Sequence, residues 1–417
     1  EIKEALDEYY GVTGSIEQVI KALDTEELEV KITEGKAQEI DFEKIAKEPV
    51  VIKLVNLILI KGIHDRASDV HIEPEEKNLK LRFRIDGILH EEISPPKHLQ
   101  SAIISRIKIM SNLDIAERRI PQDGRFTIKM EGREIDIRVS CVPTIYGENV
   151  VLRLLDVSTT LLALEALGFS KEVFKEYKKL ISRPHGIILV TGPTGCGKTT
   201  TLYASLDKIN TVEKNIITIE DPVEYKLEGI RQIPVNSKVN LTFANGLRSI
   251  LRQDPDIIMV GEIRDFETAE IAIHAALTGH LVFSTLHTND AAGAVARLVD
   301  MGVEPFLVSS SVIGVLAQRL IRIICPDCKE KYAPDKEVLE NIGLKKEKID
   351  FYRGRGCPEC MNTGYKGRIG IFELLVIDDF LRNLIVTKAG AEQIKRKAVD
   401  SGMIALKEDG ISKVEQG

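Results

Sequence analysis

Residues Gly192 to Thr199 read Gly-Pro-Thr-Gly-Cys-Gly-Lys-Thr and match the phosphate-loop pattern G-x-x-x-x-G-K-[ST] at every fixed position. The apolar run 187–190 before the loop predicts a buried strand, and the run 200–206 after it is compatible with a helix. Strand, glycine loop and helix in that order are the context that the motif requires. The chain is therefore predicted to build an α/β core with a nucleotide site.

The residue types of the loop suit phosphate binding. Glycines let backbone N–H groups turn toward the phosphates, and the start of the following helix adds a positive dipole. Lys198 is predicted to hold the β- and γ-phosphates, and Thr199 to ligate Mg²⁺. A glycine-rich turn that matches by accident is the alternative, and the flanking strand and helix count against it. The predicted nucleotide-binding residues are Gly192, Pro193, Thr194, Gly195, Cys196, Gly197, Lys198, Thr199 and Thr200.

Composition narrows the class of protein. The chain has 417 residues, enough for two or three domains. The net charge of −7 argues against a dedicated nucleic-acid-binding protein, which would usually be basic. No run approaches about 18 uninterrupted apolar residues, so no membrane span is predicted. The chain begins with Glu1 instead of Met, which predicts a fragment of a longer protein.

The chain divides into segments of different character. Residues 1–49 are charged and helix-compatible, which is typical of a linker or the remnant of a missing domain. Residues 50–157 alternate in the period of half-buried strands around a helix at 100–113, which predicts a separate α/β domain. A connector is predicted at 158–168. The remainder, 169–417, is predicted to form a second domain.

Within the second predicted domain, β-like runs alternate with helices as far as about residue 320, which favours a parallel sheet with helices on both faces. An element with paired cysteines is predicted at 321–372, and helices at 376–417. The four predicted strands are 187–190, 216–219, 257–260 and 281–284.

Two of these strands end in carboxylates. Glu262 follows the strand 257–260 and is the best choice to orient or deprotonate a water, although Gly261 stands where such strands usually carry an Asp. Strand 216–219 is followed by three acids within five residues, which repel one another unless a cation is near. Mg²⁺ is the predicted cation, and a solvated loop charge is the alternative for the last acid. The three acids are Glu220, Asp221 and Glu224.

His287 follows the strand 281–284, where it could hydrogen-bond the γ-phosphate region. A satisfied core histidine is the alternative. Because parallel strands end at one edge of an open α/β sheet, where ligands bind, the functional interpretation is favoured.

Two C-x-x-C pairs, separated by 28 residues, supply four thiolates. This is the ligand set of a closed tetrahedral Zn²⁺ site, and it leaves no open position for catalysis. Two disulfides are the alternative. The predicted zinc ligands are Cys325, Cys328, Cys357 and Cys360.

Arginines are concentrated in the first predicted domain, which has no phosphate motif of its own. Surface solvation would explain most of them. Arginine forks bind phosphate well, and one supplied from another domain or subunit can accelerate γ-phosphate cleavage. Nine of them lie between Leu79 and Arg153, namely Arg82, Arg84, Arg106, Arg118, Arg119, Arg125, Arg133, Arg138 and Arg153.

Over residues 50–417 the chain resembles the bacterial secretion ATPases that assemble type IV pili and drive type II secretion, and it looks closest to the pilus-assembly branch. The resemblance rests on the phosphate loop, the acidic segment 217–225, the Glu262 strand, the histidine segment 279–290 and the four cysteines. Two further segments also carry it. They are Arg66-Ala-Ser-Asp-Val-His-Ile-Glu-Pro74 and Pro121-Gln-Asp-Gly-Arg125.

The resemblance implies a RecA-like ATPase domain, a preceding smaller PAS-like α/β domain and a structural zinc element. It implies homo-hexameric rings with ATP sites between subunits, with Arg125 and Arg138 donated to the site as catalytic residues beside Lys198, Glu262 and His287. ATP, Mg²⁺ and Zn²⁺ are the implied ligands. The four cysteines favour extension or secretion, because the retraction ATPases of the superfamily lack them.

The resemblance also implies a cytoplasmic location at the inner-membrane face, with peripheral association through an inner-membrane platform protein and no nucleic-acid partner. Pilus assembly is the favoured function, and type II secretion is the alternative. A nucleic-acid translocase shares the RecA-like core, but the net charge of −7 counts against it. A scaffold that binds nucleotide without turnover is disfavoured by the intact set Lys198, Thr199 and Glu262.

Overall fold

The computed structural model describes residues 49–130, 132–156, 162–335, 337, 339–340 and 349–417. The chain separates into two compact units, Glu1–Thr159 and Thr160–Gly417. The helical remnant predicted at 1–49 lies outside the described residues except for Pro49. None of the described helices is long and apolar enough to cross a lipid bilayer.

The first unit is an antiparallel sheet with two packed helices. Its strand order is β3-β2-β1-β6-β5-β4. The described elements are α1 (Pro49–His64), β1 (Asp69–Pro74), β2 (Leu79–Ile85), β3 (Ile88–Glu91), α2 (Gln100–Met110), β4 (Gln122–Met130), β5 (Arg133–Thr144) and β6 (Gly147–Asp156).

Local sequence explains the turns of this sheet. Asp86 and Gly87 both have positive φ, 48° and 88°, which is the backbone of a two-residue type I′ hairpin between β2 and β3. The predicted hairpin about 131–132 is confirmed, because Met130 pairs with Arg133. The helix predicted over 100–113 ends earlier, at Met110, since Asn112 adopts a left-handed backbone with φ of 55°.

One face of the sheet packs on the two helices. Every second residue of β2, from Leu79 to Ile85, is buried. They join apolar residues of α1 and α2, such as Leu54 and Ile103, in one core. The opposite face of β2 carries its charged residues, so the unit has an apolar side and a polar side.

The second unit is built on a seven-stranded sheet. Its described elements are α3 (Lys171–Ile181), β7 (Gly186–Thr191), α4 (Lys198–Ile209), β8 (Ile216–Glu220), β9 (Arg231–Pro234), α5 (Phe243–Ile250), β10 (Ile257–Val260), α6 (Phe266–Leu277), β11 (Leu281–Leu286), α7 (Ala291–Asp300), α8 (Pro305–Ser311), β12 (Val312–Ile324), β13 (Lys329–Tyr332), β14 (Phe351–Gly354), β15 (Tyr365–Val376), α9 (Asp379–Val386), α10 (Ala391–Asp400) and α11 (Leu406–Gln416).

The sheet order is β15-β12-β7-β11-β10-β8-β9. The four strands predicted from the apolar runs are confirmed as β7, β8, β10 and β11, and they pair in parallel. The parallel sheet predicted up to about residue 320 is confirmed, and β15, which lies beyond that range, runs antiparallel to β12 at one edge. The chain leaves β12, forms the cysteine element and returns directly, which produces a hairpin instead of a crossover.

Helices cover both faces of this sheet. Ile187 and Leu189 of β7 point into the core formed with α5 to α10, whereas Ile188 and Val190 point into the core formed with α3 and α4. All six residues of β7 are buried. A strand covered on both faces reads as a continuous apolar run, which is why the sequence identifies it so clearly.

Candidate functional site

The phosphate loop leaves β7 at Thr191 and enters α4 at Lys198. Gly192, Gly195 and Gly197 all have positive φ, of 148°, 77° and 89°. A Cβ on Gly192 would lie 2.6 Å from both the Cys196 Sγ and the Gln318 backbone oxygen. Glycine is therefore required there for space as well as for backbone conformation.

Lys198 donates hydrogen bonds to the backbone oxygens of Gly192 and Pro193, at 2.8 and 3.0 Å. Burial lowers the pKa of Lys198, and Arg319 acts in the same direction, while Cys196 and Glu262 oppose the change. The ammonium is thus held inside the loop, near the Glu262 carboxylate, where a phosphate would replace the carbonyl oxygens.

The loop presents its outer residues to solvent. Pro193, Thr194, Gly195 and Thr199 are exposed. Cys196 is buried, and burial raises the pKa of its thiol. The exposed hydroxyl of Thr199 in the first turn of α4 suits the predicted contact with Mg²⁺.

Two residues of β12 brace the loop, and the sequence analysis did not find them. Gln318 is 3% exposed, donates to the Cys196 backbone oxygen at 2.8 Å and accepts from the Thr201 hydroxyl at 2.7 Å. Arg319 lies beside the loop, with Nη1 3.1 Å from the position of a Cβ on Gly192. In β12 they follow Ala317, which pairs with Thr191 of β7. Only the pairing of β12 with β7 identifies Gln318 and Arg319 as residues of the site.

Glu262 and His287 are brought together at the carboxyl ends of β10 and β11. His287 Nε2 lies 3.1 Å from Glu262 Oε2, and Arg264 forms an ion pair with Glu262 Oε1. Burial raises the pKa of Glu262, but the hydrogen bonds from Arg264 and His287 outweigh it, so the net pKa is lowered. The carboxylate is therefore ionised and oriented at neutral pH.

The acids predicted to hold Mg²⁺ differ in their surroundings. Glu220 is 3% exposed, and its oxygens accept hydrogen bonds from the side chains of Tyr203, Thr218 and Gln232. Asp221, by contrast, is exposed, and Glu224 is partly buried. Glu220 thus ties the phosphate-loop helix to strand β8, and this role was not apparent from the sequence.

The arginines predicted to serve the site form a row across the polar face of the first unit. Arg125 pairs in register with Arg138, and Arg138 pairs with Arg153. Asp69 accepts a hydrogen bond from Arg153 at 3.0 Å and lies 3.7 Å from Arg84. Like charges in directly opposed positions destabilise a sheet. Asp69 therefore offsets part of the charge of this row.

The four cysteines of the predicted zinc site converge. Their Sγ atoms lie within 4.8 Å of one another, and the separations include 3.9 Å for Cys325–Cys357, 3.8 Å for Cys328–Cys360 and 3.7 Å for Cys357–Cys360. Four thiolates at about 2.3 Å from a tetrahedral Zn²⁺ would be about 3.8 Å apart. The residues therefore fit zinc, and the separations exclude disulfides, in which the sulfurs lie about 2.05 Å apart.

Backbone N–H groups support the thiolates. Gly356 donates to Cys328 Sγ at 3.3 Å, and Gly364 donates to Cys360 Sγ at 3.2 Å. Such donors around ligand sulfurs orient them and stabilise their charge. The loops that carry the cysteines are thus preorganised for a cation.

A phosphate loop on a parallel sheet, with a carboxylate at the end of another strand of that sheet, defines a P-loop NTPase. The family profile described as "Type II/IV secretion system protein" matches residues 44–417. The chain belongs to this family, and it is an ATPase.

Two curated relatives show the range of the family. The chain is 55% identical over 368 residues to the Type II secretion system ATPase E of Vibrio cholerae. That alignment covers 88% of this chain and 73% of that protein. It is 49% identical over 423 residues to the Type IV pilus assembly ATPase PilB of Myxococcus xanthus. That alignment covers 100% of this chain and 74% of that protein.

Solved structures agree with the fold. The pilus retraction motor PilT with bound ADP superposes with a TM-score of 0.54 at 27% identity, covering 84% of this chain and 94% of that one. The ATPase DotB of Legionella pneumophila superposes with a TM-score of 0.65 at 22% identity, covering 88% and 92%. The predicted fold class, a P-loop α/β domain preceded by a smaller α/β domain and carrying a tetracysteine element, is confirmed.

Proposed function

We propose that the chain is the Mg²⁺-dependent ATP-hydrolysing subunit of a homo-hexameric motor that drives assembly of a pilus or pseudopilus at the inner membrane. The observation that carries the proposal is the Glu262 carboxylate, held ionised by Arg264 and His287 near the phosphate-loop Lys198. An ionised, oriented carboxylate within electrostatic range of a phosphate-binding lysine is what hydrolysis of a triphosphate requires.

In this proposal Lys198 leaves its two backbone acceptors and binds the β- and γ-phosphates. Glu262 orients a water in line with the γ-phosphorus and takes up its proton, while His287 keeps the carboxylate in position. Thr199 and Asp221 would hold Mg²⁺, with Glu224 nearby. When bound, Mg²⁺ would neutralise part of the negative charge of the phosphates. Loss of the γ-phosphate then removes the contacts that hold the nucleotide-bound conformation, and the resulting conformational change performs the mechanical work.

The arginines of the first unit complete the proposed mechanism. The row that includes Arg125 and Arg138 places guanidinium groups in register on one face of the sheet, and such groups bind phosphate as a rigid fork. We assign to these two side chains the stabilisation of charge on the transferring phosphoryl group. The arginines would reach the nucleotide of a neighbouring subunit in the ring.

The substitution Glu262→Gln tests the proposed hydrolysis. The amide keeps the shape of the side chain but cannot take up a proton, so ATP turnover is expected to fall at least about a hundredfold while ATP binding persists. Glu267→Gln is the matched control, because Glu267 is an exposed acid on α6 that pairs with Arg248. Unchanged turnover in Glu262→Gln would remove this carboxylate from the mechanism.

Two machines remain as candidates for what the motor drives. The type II secretion relative has the higher identity, 55%, whereas the pilus-assembly relative aligns with 100% of the chain. Co-purification with an inner-membrane platform protein separates them. A pilus platform as the sole partner supports pilus assembly, and a secretion platform as the sole partner supports type II secretion.

A further inference from the structure

Residues 287–290, here called the 287–290 loop, connect β11 to α7 and contact a different element at each position. His287 lies 3.1 Å from Glu262 at the end of β10. The backbone N–H of Thr288 donates to the Thr191 hydroxyl at 2.9 Å, directly before the phosphate loop. The first half of the 287–290 loop is thus tied to the two strand ends that carry the proposed chemistry.

The second half of the loop is tied to elements outside the nucleotide site. Asn289 accepts from Arg319 on β12 through both its backbone and its side-chain oxygen, at 3.2 and 3.1 Å. Asp290 caps α7 by accepting from the Gly293 N–H at 2.9 Å, and its other oxygen accepts from Lys395 on α10 at 3.0 Å. The loop therefore spans from the Glu262 carboxylate to the C-terminal helices.

Lys395 also faces a second carboxylate. Glu373 on β15 has no exposed surface, and its oxygens accept from the backbone N–H of Ala291 at 2.9 Å and of Leu406 at 3.4 Å. The Lys395 ammonium lies 3.8 Å from Glu373 and 3.0 Å from Asp290. One cation thus stands between the two acids that hold the start of α7 in place.

We propose that Lys395 is a positioning residue for ATP hydrolysis, acting through Asp290 and the 287–290 loop on His287 and Glu262. Without the ammonium, Asp290 and the buried Glu373 repel each other and the start of α7 shifts. The loop moves with α7, so the His287–Glu262 contact loses its geometry. A displacement of about 1 Å at a catalytic group can lower the rate about a hundredfold. The inference rests on the proposed role of Glu262.

The test uses the full chain with Lys395→Met, Lys395→Arg and the control Lys397→Met, an exposed residue of the same helix that pairs with Asp400. Lys395→Met is expected to lower kcat at least about tenfold and to leave the Kd of a fluorescent ATP analogue within about twofold. Backbone amide exchange should accelerate in residues 287–291 and not in β7. Lys395→Arg should restore kcat, and Lys397→Met should behave as the parent chain.

A second variant guards against misfolding. Asp290→Asn keeps the side-chain oxygen that caps α7 and removes the repulsion with Glu373, so adding it to Lys395→Met should restore kcat in a folded chain. Wild-type kcat and exchange in Lys395→Met would overturn the inference, as would no recovery in the double variant or a Kd that rises as much as kcat falls. Normal turnover in Glu262→Gln would instead defeat the proposed function, and the exchange measurement would then decide only whether Lys395 holds the 287–290 loop in place.

Discussion

At the scale of single residues, Glu262 shows how neighbours set the chemistry of a carboxylate. Burial raises its pKa, and the hydrogen bonds from Arg264 and His287 lower it by more. A base with a depressed pKa remains ionised at neutral pH and loses function only as the pH falls through that low value. Arg264 is thus expected to control the acid side of the activity profile.

Replacing Arg264 with Gln should move the acid limb of the pH profile of kcat/KM to higher pH. The substitution removes the ion pair and leaves burial opposed only by His287, so the pKa of Glu262 rises. Arg382→Gln is the control, since Arg382 pairs with Asp379 on α9. An unshifted acid limb in Arg264→Gln would show that Glu262 is not the group whose ionisation limits turnover.

Gln318 gives a second prediction at this scale. Gln318→Leu removes both hydrogen bonds and leaves the Cys196 carbonyl and the Thr201 hydroxyl without those partners, at a cost of about 1–3 kcal/mol of unfolding free energy. The affinity for ATP should weaken as the phosphate loop loosens. Denaturant unfolding and nucleotide titration measure the two effects. Ser310→Ala, which deletes an exposed bond to a backbone oxygen, should change neither.

The sequence predicted those site residues that sit within a local pattern. The phosphate loop, Glu262 and His287 each follow an apolar run that ends in polar residues. Gln318 and Lys395 could not be predicted in this way, because their roles come from strand pairing and helix packing across more than a hundred residues. The buried position of Glu220 was missed for the same reason, since its partner Tyr203 lies on another element.

At the scale of elements, the hairpin of β12 and β15 is the feature that periodicity did not reveal. The residues 312–318 of β12 are buried, and β15 pairs with β12 from Gly314 to Ile324 with one register shift. Apolar runs alone cannot distinguish such an antiparallel return from another parallel strand. The cysteines in the connection between the two strands are the local signal that the chain turns back there.

The cysteine element should contain one zinc ion per chain, measured by atomic absorption. Cys360→Ser should lose the metal, because a closed tetrahedral site needs all four thiolates. Cys141→Ala is the control, since Cys141 is buried in the core of the first unit, away from the four ligands. Full zinc content in Cys360→Ser would show that this thiolate is not a ligand.

At the scale of the whole molecule, the chain comprises two compact units, one with the arginine row and one with the phosphate loop. The sequence predicted both kinds of residue but not that the arginines align in register across adjacent strands. The pairing of Arg125 with Arg138 follows from the predicted hairpin that joins Met130 to Arg133, whereas the pairing of Arg138 with Arg153 depends on the connection at 145–146, whose register the sequence does not specify.

Mixing variants tests whether one subunit serves the site of another. Arg138→Ala keeps an intact phosphate loop, and Lys198→Ala keeps intact arginines, so each alone should turn over ATP slowly. In mixed rings some interfaces combine the intact halves, and the rate should exceed the sum of the separate rates. Strict additivity at all mixing ratios would indicate that each chain uses its own arginines.

The β12–β15 hairpin joins two sites that have different chemistry. The connection between its two strands carries the four thiolates, while Gln318 and Arg319 in its middle contact the predicted phosphate-binding loop. Removal of zinc with a chelator should therefore increase the dissociation rate of bound nucleotide under conditions in which the chain is still folded. The availability of zinc would then control how tightly the ATPase binds its nucleotide.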